Sequence, residues 1–124
     1  MNPSGYDQYK EQTIMTMTPG ELLLLLYDEL IKRLTRAKIA IDAKDWTLYD
    51  QSVQRSKEIV EYLRATLDYK YDIAKELDAM YDFFLFQISR MQAGRRKEVI
   101  DDVIPLVRDL REAYEQAGKQ VENQ

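Results

Sequence analysis

Three carboxylate pairs stand out by type and spacing: Asp28 with Glu29, Asp42 with Asp45, and Asp101 with Asp102. Two carboxylates held together can do acid–base work or grip a hard cation. "GRRKE", residues 94–98, gathers three cations that could hold a phosphate. Neither feature has company. The chain has no histidine and no cysteine. This excludes Ser-His-Asp triads, thiolate nucleophiles and the Glu-x-x-His metal sites of helical bundles. Charged pairs on a helical protein are ordinarily a solvated face, and three cations at a turn are a small patch on an acidic body. The residues therefore point to a non-enzyme without metal or cofactor. A net charge of −4 over 124 residues also argues against a general nucleic-acid binder.

The unusual chemistry is apolar. "MTPGELLLLLYDEL", residues 17–30, holds five consecutive leucines, Leu22–Leu26. A helix packed on one core needs an apolar stripe about 100° wide, whereas five positions in a row circle the whole helix. "MYDFFLFQI" repeats the excess at Tyr81, Phe83 and Phe86, since Phe83, Phe84, Leu85 and Phe86 cannot all face one core. A thick core buried on two flanks is one account. The other is a groove that receives an apolar segment of a partner, lined by Leu22 and Leu25. Tyrosine, nine residues in all, suits such a surface because it offers area at low entropy cost.

These residues must be positioned by helices. At 45% hydrophobic and 32% charged, the composition is that of a globular helical domain and not of a disordered chain. Residues 1–17 carry no sustained period and are expected to form an extended or weakly helical arm. Its apolar groups are Tyr6, Tyr9, Ile14, Met15 and Met17. Thr18, Pro19 and Glu21 then spell a capping box with an N1 proline. The bundle is expected to occupy residues 18–124.

The first long segment runs to about Ile41 with a stripe of Leu23, Tyr27, Leu30, Leu34, Ala37 and Ile41. Asp45 is placed to cap the second, which runs to about Leu67 on a face of Val53, Ser56, Val60, Leu63 and Leu67. Asp72 is placed to cap the third, which runs to about Gln92. Its core side is Ile73, Leu77, Met80, Phe84 and Met91, and Gly94 is its natural stop. Phe83 and Phe86 fall off that line and should be more exposed than Phe84. The fourth starts near Arg96 or Lys97 with a heptad seam of Ile100, Val103, Val107, Leu110, Tyr114, Ala117 and Val121. Pro105 falls opposite the seam, so the helix should continue through it, bent around the core. Four long helices joined by short turns make an all-α, antiparallel up-down-up-down four-helix bundle with an N-terminal arm.

Read in order, several stretches resemble the flagellin-specific export chaperones of the FliS family. They are "YDQYKEQ" at 6–12, "TPGELLLLLYDELIKRL" at 18–34, "ATLD" at 65–68, "IAKELDAMYDFF" at 73–84 and "PLVRDLREAYEQ" at 105–116. Tyr114 stands where that family usually has tryptophan, and Lys70, Tyr71 and Asp72 replace its glycine pair between helices. The resemblance implies a cytoplasmic chaperone that binds the C-terminal region of flagellin and prevents its premature polymerisation. It also implies delivery to the flagellar type III export apparatus, and an arm able to lie over the binding surface. The contact residues expected are Tyr6, Tyr9, Ile14, Met17, Leu22, Leu25, Tyr81, Phe83 and Phe86. The competing expectation is a homodimer that seals its surplus apolar faces and has no flagellin client. No apolar run approaches the roughly 20 residues of a membrane helix.

Overall fold

The computed structural model describes residues 5–122, without the side chains of Tyr6, Asp7, Tyr9, Met15 and residues 119–122. Its elements are α1 (Gly5–Met15), α2 (Pro19–Ala43), α3 (Trp46–Ala65), α4 (Ile73–Gly94) and α5 (Lys97–Glu122), with no strand among the described residues. The all-α expectation holds. The arm contains one short helix, α1, which carries almost no apolar periodicity of its own.

Local chemistry explains where α2 and α3 begin and end. The Thr18 hydroxyl accepts from the Glu21 N–H at 3.1 Å and donates to the Glu21 carboxylate at 3.0 Å. Pro19 follows as the first helical residue, where its missing N–H costs nothing. At the other end Lys44 adopts the left-handed conformation, φ 56°. The N–H groups of Lys44 and Asp45 then donate to the Ile41 and Ala40 carbonyls, closing a Schellman turn. Asp45 at once caps α3, accepting from the Leu48 N–H at 3.0 Å. Two residues thus reverse the chain.

The other turns depart from expectation. Asp72 makes no side-chain cap to α4, because its own backbone is already helical (φ −58°, ψ −36°) and a capping residue needs extended geometry. The loop before it is held by Asp68, whose carboxylate accepts from the Lys70 N–H at 3.0 Å. Gly94 stays inside α4, and the left-handed stop falls on Arg95 at φ 46°. A non-glycine residue pays for that conformation. Here the Arg95 guanidinium sits 4.4 Å from the centre of the Trp46 ring, a cation–π contact that offsets the strain.

The four long helices form one ring: α2 packs on α3 and α5, and α4 closes the ring against both of those. Their order is antiparallel. Along α2 and α5, Asp42 pairs with Lys97, Lys38 with Asp101, and Asp28 with Arg111. Along α3 and α4, Arg64 pairs with Asp78 while Gln54 meets Gln92. Of the carboxylates singled out by their spacing, Asp28, Glu29, Asp42 and Asp101 are engaged as surface ion pairs and Asp45 as a cap, while Asp102 faces solvent. No group of three or more acidic, histidine or cysteine residues could hold a metal among the described residues.

The core is the one the periodicity predicts. Leu30, Leu34 and Ala37 of α2 meet Val53, Val60 and Leu63 of α3, Phe84 and Met91 of α4, and Ile100, Val103 and Val107 of α5. Val99 and Ile104 are buried beside the α5 seam, making it wider than a heptad line. Pro105 is exposed, and α5 runs through it. Three assignments change. Ile73 is 52% exposed at the first turn of α4, before that helix reaches the ring. Leu67 lies beyond the end of α3, and Ala117 is exposed. Leu23, Ile41, Met80, Leu110 and Tyr114 are only partly buried, packed against the edge of the core. Val121 lies outside the described side chains.

Candidate partner-binding surface

All five leucines of the run are half-buried, neither sealed in the core nor free in solvent. Four of them line clefts. A groove of about 430 Å³ between α1, α2 and α3 is floored by Leu22, Leu25, Leu26, Ile59 and Tyr62, with Lys10 and Ile14 of the arm along its edge. A second cleft, about 300 Å³, opens at the end of the bundle. Leu22, Leu23 and Leu26 of α2 line it together with Tyr62 and Leu67 near the end of α3, Tyr71, and Ile73 and Leu77 of α4. A third, about 250 Å³, lies between α4 and α5, bounded by Ile73, Leu77, Met80, Leu110 and Tyr114.

The clefts adjoin. Leu22, Leu26 and Tyr62 border both the first and the second. Ile73 and Leu77 border both the second and the third. An apolar path therefore runs from the arm, around the end of the bundle, to the α4–α5 face. Its exposed lips are Tyr62, Tyr71 and Ile73, 49–62% exposed.

Beneath the path the core is polar at one point. The Tyr27 and Tyr81 hydroxyls meet at 2.6 Å, and the Tyr114 ring lies 5.9 Å from that of Tyr27. Burial above all, then the bond to Tyr81, pushes Tyr27 far above the usual phenol range. Burial raises Tyr81 and Tyr114 too, although the bond from Tyr27 acts against this at Tyr81. All three stay neutral at any physiological pH. The Tyr27 and Tyr81 hydroxyls satisfy each other, and none of the three offers acid–base chemistry.

The loop that forms the lip is anchored by charge. Asp78 receives Arg64 Nε at 2.8 Å and the Tyr69 hydroxyl at 3.1 Å. The Arg64 bond, with help from Tyr69, holds the Asp78 carboxyl below its usual range. This cluster ties the residues after α3 to the first turns of α4.

Of the contact residues expected from sequence, Ile14, Leu22 and Leu25 come together in the first groove. Met17 is half-buried in the connection between α1 and α2. Tyr81 is 1% exposed and bonded to Tyr27, so it backs the end cleft from within the core and presents no free surface. Phe83 and Phe86 are 40% and 62% exposed on the outer side of α4, beyond the three clefts, while Phe84 is fully buried. The side chains of Tyr6 and Tyr9 lie outside the described residues. Sequence reasoning missed Leu26, Tyr62, Leu67, Tyr71 and Ile73 as surface. Leu67 and Ile73 carry the same apolar signal as core residues, and only the ends of the helices distinguish them.

No helix among the described residues is long and apolar enough to cross a membrane. The model of the family described as "Flagellar protein FliS" matches residues 2–121. The chain is 28% identical over 112 residues to the flagellar secretion chaperone FliS of Bacillus subtilis, covering 90% of this chain and 84% of that protein. It is 26% identical over 115 residues to the protein of the same name from Vibrio cholerae, covering 91% and 85%. A crystal structure of a bacterial flagellar chaperone superposes with a TM-score of 0.78 at 24% identity, covering 96% of both chains, and so shares the fold. With the family model spanning nearly the whole chain and relatives that are named as chaperones and not as enzymes, this protein belongs to the FliS family of flagellar secretion chaperones.

Proposed function

We propose that the apolar path is the seat of a flagellin client. The chaperone holds the C-terminal segment of flagellin in the cytoplasm, keeps it from polymerising and delivers it to the flagellar export apparatus. The observation that carries this is that the three clefts adjoin. The residues shared by neighbouring clefts, Leu22, Leu26 and Tyr62 and then Ile73 and Leu77, carry no charge, so one extended or helical segment can pass from each to the next. Phe83 and Phe86, exposed on the outer side of α4, are further contacts in this proposal, beyond the clefts. A client that orders on docking can wrap such a surface, at a cost of a few kcal/mol in lost freedom.

In this proposal residues 1–17 act as a removable cover on the bundle of residues 18–124. The arm helix has little apolar periodicity, and Lys10 and Ile14 are its groups on the groove. It should open well below the global unfolding free energy. The test is calorimetric titration of a synthetic flagellin C-terminal peptide into the full chain and into a chain lacking residues 1–15. Binding is expected in both, with affinity unchanged or higher after truncation. Raising salt should weaken binding only modestly, because screening acts on charge pairs and not on apolar contact. No uptake would overturn the proposal. A large loss in the truncated but still helical chain would make the arm a binding element instead of a cover. Exposed Phe83 and Phe86 favour one other reading, a homodimer sealed through α4. A dimer by size-exclusion chromatography that ignores the peptide would support it.

A further inference from the structure

The first groove contains a donor with nothing to donate to. Arg33 stands on α2 where the apolar floor of Leu22, Leu25 and Leu26 gives way to charged residues. Its Nε has less than 1 Å² of accessible surface and no hydrogen-bond partner. Among the described residues it is the one buried side-chain nitrogen or oxygen left so. Neighbouring carboxylates do not serve it. Glu29 approaches only a terminal nitrogen of the guanidinium, at 3.6 Å, and Glu58 is taken by Arg55 at 2.9 Å. Nor do the arm side chains described at the groove: Lys10 has donors only and Ile14 has neither donor nor acceptor.

Buried polar groups in folded proteins almost always have partners, and an exception asks for a cause. We infer that Arg33 is a specificity-determining residue of the groove between α1, α2 and α3, where its Nε donates to an oxygen acceptor on the docked client segment. This rests on the reading of the groove as a client site. It adds what apolar contact cannot supply, a fixed register. A segment that presents a carboxylate or a main-chain carbonyl at this point satisfies the donor, and one that presents a methyl group leaves it orphaned.

The test sets binding against stability in Arg33→Met, which keeps the stem and removes the guanidinium. Thermal melts and titrations with the flagellin C-terminal peptide are run on the full chain, on Arg33→Met and on Arg33→Lys. Arg33→Met is expected to melt at the same or a higher temperature, since it removes an unsatisfied donor and only a long, partly exposed ion pair. Its affinity for the peptide should fall about tenfold to a hundredfold. Arg33→Lys retains the charge but has no N–H at that position, so it should lose as much. If the gap between the full chain and Arg33→Met shrinks in salt, the acceptor is a carboxylate; if it persists, a main-chain carbonyl; either supports the inference. A lower melting temperature for Arg33→Met, unchanged affinity, or restoration by lysine would each overturn it. Should the full chain take up no peptide, the client reading itself fails. The melts then decide alone whether the donor is unsatisfied, a lower temperature counting against it.

Discussion

Leu22→Glu is expected to leave the bundle folded and to weaken binding of the flagellin peptide by about two orders of magnitude or more. Leu22 borders both the arm groove and the end cleft, so any segment that follows the path must cross it. A seated client would strip water from the new carboxylate without supplying a cation. An unpaired charge buried in this way costs several kcal/mol, and about 1.4 kcal/mol is a tenfold loss of affinity. The fold has little to lose. Leu22 is half-exposed at the start of α2, where a negative charge sits well with the helix dipole. The melting temperature and far-UV circular dichroism should therefore hardly change, while calorimetric titration loses its signal. Wild-type affinity in this variant would mean that the client does not use the leucine run.

Phe84→Ala is expected to have the largest effect on the fold. Phe84 is fully buried, whereas its neighbours Phe83 and Phe86 are 40% and 62% exposed. Truncating a buried phenylalanine removes its transfer energy and leaves a cavity, at about 3–5 kcal/mol. For a domain of this size that lowers the melting temperature by on the order of 10–20 °C. Phe86→Ala should cost under about 1 kcal/mol, as surface substitutions do. If the outer face of α4 belongs to the client path, Phe86→Ala should still weaken peptide binding. Similar melting losses for Phe84→Ala and Phe86→Ala would contradict the burial pattern described here.

Much of this was legible along the chain. The Thr18 and Asp45 caps, the continuity of α5 through Pro105 and the buried faces of all four long helices follow from interactions within a few residues, and periodicity records those directly. The surplus at Leu22–Leu26 and at Phe83 and Phe86 was visible as a mismatch between apolar content and the width of one stripe. Its location was not. A half-buried leucine and a core leucine carry the same signal, so Leu26, Leu67 and Ile73 could not be told from core.

The amino-acid sequence by itself determined the helices, their core faces and an excess of apolar surface, because these depend on spacing at 3.6 residues per turn. Only the tertiary structure decided where that excess is open. The clefts join because the ends of α2, α3 and α4 meet around Leu22, Tyr62 and Ile73, residues far apart in the chain. The α4 stop moved from Gly94 to Arg95 because Trp46, from another turn, came to lie beneath it. Tyr81 left the surface because Tyr27 of another helix took its hydroxyl. In each case the deciding partner is distant in sequence, and periodicity carries no record of contacts made after the helices have packed.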